Sequence, residues 1–236
     1  MRKKIITAAI LLFLAGMVSE SYASATSNLS TNLFNAVSGG DISALKTLVQ
    51  NGVNINSTDS NGNSALIVAI YTGNETMVKY LVENGADVNA TFDNGITPLM
   101  YALDKRQYQI AKYLILEGAD INAVDKNGNS VLIHGITNSN IVKTLIQKGA
   151  NINAVNNLGQ SALMLAVLNS NFNTIKTLVQ NGANINATDN NNRSVLSLAD
   201  ENGNNKIIKY LLEQNNTETS QNSGLFGIFK SLFIGN

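Results

Sequence analysis

His134 is the one histidine in 236 residues, and there is no cysteine at all. A chain without cysteine builds no disulfide, no zinc–thiolate site and no thiol nucleophile. A Ser–His–acid triad would have to use His134, and a metal site would have to be made of oxygen ligands. The carboxylates that come in near pairs are Asp87 with Asp93 and Asp120 with Asp125. Calcium loops need dense acidic ligands at fixed offsets, and here asparagine dilutes them. No glycine-rich phosphate loop follows a strand-like run. The paired carboxylates recur at one period along the chain, which marks them as turn residues. No catalytic, cofactor-binding or metal-ligating residue is expected, and His134 is assigned a packed or half-exposed place in a repeat.

The period itself is the main signal, and self-similarity comes before local structure. Asn51-Gly52-Val53-Asn54-Ile55-Asn56-Ser57 returns as Asn84-Gly85-Ala86-Asp87-Val88-Asn89-Ala90, and again at 117–123, 148–154 and 181–187. The glycines Gly52, Gly85, Gly118, Gly149 and Gly182 are spaced by 33, 33, 31 and 33 residues. A hydroxyl residue precedes each by about 21 positions: Thr31, Ser64, Thr97, Ser130 and Ser161, with Ser194 opening a sixth unit.

Each column has a physical role. The Ser/Thr caps a helix by accepting from its free N–H groups. Thr97-Pro98 adds the chain's one proline at the first helical position, where its missing N–H costs nothing. A leucine column (Leu33, Leu66, Leu99, Leu132, Leu163, Leu196) and a small-residue column (Ala36, Ala69, Ala102, Gly135, Ala166, Ala199) share the face that stacks on neighbouring units. A second helix follows, with apolar pairs such as Leu81-Val82 and Leu178-Val179 facing inward. The repeat glycine ends it in left-handed geometry, and Asn215 stands where the sixth glycine would fall. Asp/Asn/Gly clusters such as Asp59-Ser60-Asn61-Gly62 turn the chain into the next unit.

This pattern resembles the ankyrin repeat family. Ser64-Ala65-Leu66-Ile67-Val68-Ala69 and Thr97-Pro98-Leu99-Met100-Tyr101-Ala102 match its T-P-L-H-x-A signature, and Asn84 to Ala90 match its G-A-D-x-N-A ending. The resemblance covers residues 31–214. It implies an all-α solenoid of six helix–turn–helix units joined by β-turn or hairpin loops, with units starting near 31, 64, 97, 130, 161 and 194. The family histidine is absent throughout: Phe34, Ile67, Met100, Ile133, Met164 and Ser197 fill its column, so apolar packing is expected to replace its hydrogen bond. The fourth unit lacks two residues near Thr137-Asn138-Ser139-Asn140 and carries Gly135, which makes it the expected weak point or bend, or merely a shorter turn. Asn35 and Asp200 place polar residues where no neighbouring unit stands, as solenoid ends require.

The resemblance also implies where a partner protein would bind, since such proteins use hairpin tips and first helices. On this chain the tips include Ser60, Asn61, Asp93, Asn94, Ile96, Lys126, Asn127, Leu158, Gln160 and Arg193. The helix positions include Tyr71, Thr72, Asp104, Lys105, Leu168 and Asn169. Tyr71, Ile96, Leu158 and Leu168 are apolar or aromatic anchors of the kind interfaces use. Lys46, Lys79, Lys112, Lys143, Lys176 and Lys209 occupy one place in all six second helices. They read as a solvated outer face or as a basic ridge. Asp59, Asp93, Asp125 and Asp189 lie in the turns, which gives the expectation of acidic, amide-rich tips and a basic back.

The two ends have their own character. Arg2, Lys3 and Lys4 precede an apolar run, Ile5 to Val18, and Tyr22-Ala23-Ser24-Ala25 offers small residues for cleavage. The run is shorter than the ~20 residues of a membrane span. Residues 1–25 are therefore expected to be a bacterial-type export signal cleaved after Ala25, with an uncleaved anchor as the competitor, and the protein to be periplasmic or secreted. Removal takes Arg2, Lys3, Lys4 and Glu20 from 16 basic and 16 acidic residues, leaving a net charge of about −2. That disfavours nucleic acid, which requires a clustered basic surface. After the repeat domain (26–216) come a polar linker (217–223) and an apolar tail (224–236). At 100° per residue, Leu225, Phe226, Ile228, Phe229, Leu232 and Phe233 fall within about 160° of one another, the pattern of an amphipathic helix. The expected function is non-enzymatic binding of another protein by a monomer without cofactors. The alternatives are membrane docking through the tail, or an effector- or immunity-type inhibitor of another protein.

Overall fold

The computed structural model describes residues 29–220, with side chains to residue 215. The expected export signal, most of the linker and the six apolar tail residues lie outside the described residues. Helical residues 29–39 (α1) pair with α2 (Ile42–Gln50), α3 (Ala65–Tyr71) with α4 (Glu75–Glu83), and α5 (Pro98–Asp104) with α6 (Tyr108–Leu116). Three more pairs follow: α7 (Val131–His134) and α8 (Ser139–Gln147), α9 (Ala162–Leu168) and α10 (Phe172–Gln180), α11 (Val195–Glu201) and α12 (Asn205–Ser220). No strand forms among the described residues, and the architecture is the all-α repeat solenoid that the sequence columns imply.

The capping column works as read. The hydroxyls of Ser64, Thr97, Ser130, Ser161 and Ser194 accept from the backbone N–H three residues on, and Pro98 starts α5. The five repeat glycines all have φ between +76° and +93°, a conformation that costs any residue with a Cβ. Leu66, Leu99, Leu132 and Leu163, with Ala69, Ala102 and Ala166, are buried between helices. Each large side chain so buried contributes roughly 1.5–3 kcal/mol. Ile67, Met100, Ile133 and Met164 are buried as well, so apolar packing does fill the family's histidine column.

The motif asparagine ties each repeat to the next. Asn56 Nδ2 donates to Gly85 O at 3.0 Å while its Oδ1 accepts from Asp87 N at 2.8 Å. Asn122 and Asn153 do the same to Gly149 with Asn151 and to Gly182 with Asn184. Both halves of one amide are used, which fixes the register of adjoining repeats.

The described residues divide into two compact units. One runs to Asp93 and resumes at Thr97–Ala119; the other takes in Asn94–Ile96 and everything from Asp120. In the first, α3 packs on α4 and α5, and α6 on α4 and α5. In the second, α9 packs on α7, α10 and α11, and α8 on α7 and α10.

Two expectations at the C-terminal end are corrected. Asn215 does not adopt the left-handed turn; it is helical, because α12 runs on to Ser220. Residues 217–220, expected in the linker, are therefore helical too.

Candidate interaction surface

The hairpins that carry the tips are built on a carboxylate that faces its own turn. Asp59 Oδ1 accepts from Asn61 N (2.8 Å) and Asn63 N (2.9 Å), and its Oδ2 from Asn63 Nδ2 (3.0 Å). Asp125 repeats this with Asn127 and Asn129. Asp189 does so with Asn191 and Arg193, whose Nε donates at 2.9 Å. Burial pushes these three carboxyls up, but the turn's hydrogen bonds outweigh it and hold them below the ordinary range. One bridging pair closes each turn: Thr58–Ser64, Val124–Ser130, Val155–Ser161 and Thr188–Ser194.

This corrects the expectation of acidic tips. Asp125 and Asp189 are buried and spent on their own turns, and half-buried Asp59 is spent likewise. Asp93 alone of the four is exposed. Two proposed tip contacts fall with it. Gln160 is buried, its backbone N–H donating to Asn156 Oδ1 and its Oε1 accepting from Asn156 Nδ2. Arg193 is half-buried and ion-paired to Asp189 at 2.8 Å, with Glu201 at 3.8 Å. Both help hold a hairpin together; the Arg193 side chain keeps 36% exposure while doing so. Leu168 and Ile96 are only half-exposed.

In the second unit the tips are joined edge to edge. Lys126 N donates to Asn94 O (2.8 Å), Asn157 N to Asn127 O (2.9 Å) and Asn190 N to Leu158 O (3.1 Å). The amides of Asn157 and Asn190 add bonds to Lys126 O and Asn157 O. The first of these bonds ties Asn94 to the second unit's hairpins. On this stiffened edge Leu158 is 62% exposed and Lys126 and Asn127 are exposed, as is Asn169 at the end of α9. Val124 (57%) and Val155 (52%) extend the apolar surface and escaped sequence reasoning. Their signal was available: the same column reads Thr58, Thr91 and Thr188 elsewhere, so valine there is the departure.

The first unit offers different chemistry. Tyr71, at 66% exposure, and Tyr101 lie on either side of Lys105, whose Nζ is 5.4 and 5.3 Å from their ring centres. Phe92 packs edge-on against Tyr101 at 5.2 Å. Phe92 stands in the column where other hairpins place Asp or Asn, so this turn has no anchoring carboxylate and closes as a 3-10 turn at Asp93–Gly95. Asn94 there takes φ +56°. Thr72, Asp93, Asp104 and Lys105 are exposed, and so is Asn94 of the second unit. The six column lysines are all exposed. Lys46 and Lys79 each lie about 6 Å from the tyrosine ring of the next repeat, Tyr80 and Tyr113, which gives that ridge an aromatic backing.

His134 Nε2 lies 3.4 Å from Asp125 Oδ2, where α7 meets its hairpin. Among the described residues no group of three or more His, Asp or Glu side chains is placed to hold a metal, and no helix is long and apolar enough to cross a membrane.

A family model described as ankyrin repeats (3 copies) matches residues 33–125, 115–189 and 132–223. No curated protein matches the chain. The matched segments run from 33 to 223 with no gap between them, over helix pairs, hairpins and bracing asparagines of that kind, and the chain belongs to the ankyrin repeat family.

Proposed function

We propose that this protein–protein interaction module binds its partner through the hairpin tips and first helices, and acts by binding instead of catalysis. One observation carries the reading. Tyr71 and Val124 are more than half exposed on repeats whose hairpin carboxylate is turned inward, and Val155 and Leu158 are so on the hairpin anchored by the neutral Asn156. Apolar anchors on a rigid edge, rimmed by amides, are what interface centres use. The mature chain works outside the cytoplasm, a reading supported by the basic, apolar and small-residue blocks of residues 1–25.

The test is capture from an envelope extract with the mature chain, compared with Tyr71→Asp and Leu158→Asp. A protein retained by the wild type and lost by either variant, with unchanged circular dichroism, is the expected result. Equal retention by all three removes the basis for this surface. N-terminal sequencing of protein from the envelope fraction should begin at Thr26; a start at Met1 rules out cleavage.

A further inference from the structure

We infer that the apolar C-terminal segment, residues 225–233, folds back over the strip formed by Val124, Val155 and Leu158 and competes there with the partner. The inference rests on the reading of that strip as a docking surface, and concerns its regulation.

Three observations carry it. The strip is apolar and nearly without charge. Its three side chains are each more than half exposed, the hairpin carboxylates Asp125 and Asp189 are buried, and Arg193 is committed to Asp189. Lys126 is the one exposed charge on these tips. The segment matches it, with six large apolar residues and a single charge, Lys230.

The direction in which the chain leaves is the second observation. Each second helix of this unit ends where the chain turns into the next hairpin: α8 leads to Val155, α10 to Thr188. Helix α12 occupies the same place in the last repeat but continues seven residues past Glu213, the counterpart of α10's last residue, Gln180. That adds about 10 Å at 1.5 Å per residue. Asn186, at the base of the last hairpin, donates to Asn215 Oδ1 at 3.4 Å. The extension therefore starts beside the base of the last hairpin.

Reach is the third. Packed helices lie 8–10 Å apart, so the strip in repeats 4 and 5 begins one repeat away. The 16 residues after Ser220 span up to ~50 Å when extended, and four of them precede Leu225.

The test uses the absence of cysteine. In the mature chain, Asn236→Cys carries a nitroxide at one place only. The methyl signals of Val124, Val155 and Leu158 are expected to broaden at least threefold more than those of buried Leu145. Phe229→Asp in the same labelled chain should abolish the excess with circular dichroism unchanged. Even broadening across the repeats overturns the inference. So does broadening that appears only when label and signal are on different copies, or a tail that leaves the free state only when phosphatidylglycerol vesicles are added. If partner capture depends on Leu158 but the label never approaches it, the tail inference falls and the docking surface stands. If the label approaches it and capture does not depend on Leu158, the docking surface falls instead.

Discussion

Repeats 4 and 5 follow the same columns, yet α7 has four residues where α9 has seven. In repeat 5 the carbonyl of Val167 is met by Ser170 N of its own turn at 2.9 Å, and by the Asn202 amide. Repeat 4 lacks two residues there, and no backbone N–H of its own turn reaches Ile136 O. Repeat 5 supplies donors instead: Asn171 Nδ2 and Thr174 Oγ1 both reach Ile136 O at 2.9 Å. Thr174 is fully buried in a column otherwise filled by Ala44, Met77, Ile110, Ile141 and Ile207. The small-residue column differs in the same way. A Cβ on Gly135 would stand 3.1 Å from Leu145 Cδ1 and 3.3 Å from Ile141 Cγ2, whereas Ala166 keeps its methyl. A shortened repeat is thus completed by polar atoms of its neighbour. The lone threonine in this apolar column meets the carbonyl of the shorter repeat before it.

The largest effect should come from removing those donors. Asn171 also caps α10 by accepting from Thr174 N. Asn171→Ala with Thr174→Val leaves a buried carbonyl unmet and a helix uncapped, an expected loss of about 3 kcal/mol in urea unfolding. Asn204→Ala, the same column one repeat on, removes a cap alone and should cost about 1 kcal/mol. Equal losses would mean that repeat 5 does not complete repeat 4.

Exchanging the small residues should hurt in both directions. Gly135→Ala forces Leu145 and Ile141 aside and is expected to cost about 1–3 kcal/mol by overpacking. Ala166→Gly is expected to cost about 1 kcal/mol through lost helix preference. A stabilised Gly135→Ala, read as a raised melting temperature, would show that room was available and that the glycine has another cause.

Most of the fold was legible because each column states one physical need: a hydroxyl at the cap, glycine at the left-handed position, leucine and alanine at the stacking face. The missing residues of repeat 4 were visible in the spacing, but their compensation was not. It depends on which carbonyl loses its donor and which side chain lies beside it, and Thr174 is 38 residues from Ile136. The surface was legible in part. Tyr71 and Leu158 stood out by type, whereas Gln160 and Arg193 were misplaced, because exposure at a hairpin depends on whether the side chain bonds back to position one of the turn. Val124 and Val155 went unnoticed because valine in a strand-like position looks ordinary until compared down the column.

The smallest effect should come from exchanging the hairpin anchors, and it is the sharpest test of how alike the two repeats are. Repeat 4 uses Asp125 and repeat 5 uses Asn156, whose Oδ1 accepts from Leu158 N and Gln160 N in the same way. Asp125→Asn keeps those acceptors but turns an amide toward Asn129 Nδ2, and Asn129 cannot rotate without losing Asn156 Nδ2 at 3.0 Å. The expected loss is about 1 kcal/mol near neutral pH. Because the native carboxyl is held below its unfolded value, the stability it contributes is present above pH ~4 and is lost as pH falls through the folded value. The gap between wild type and Asp125→Asn should therefore close in acid. Asn156→Asp should lose about as much near neutrality, ~1 kcal/mol, by facing a carboxylate toward Asn129 Oδ1 and Gln160 Oε1. Its deficit should also shrink in acid, as the new carboxyl takes a proton and regains a donor. Urea midpoints from pH 7 to 2.5 distinguish these outcomes. A gap that stays constant with pH for Asp125→Asn would show that its carboxylate does no more for the hairpin than the amide of Asn156 does one repeat on.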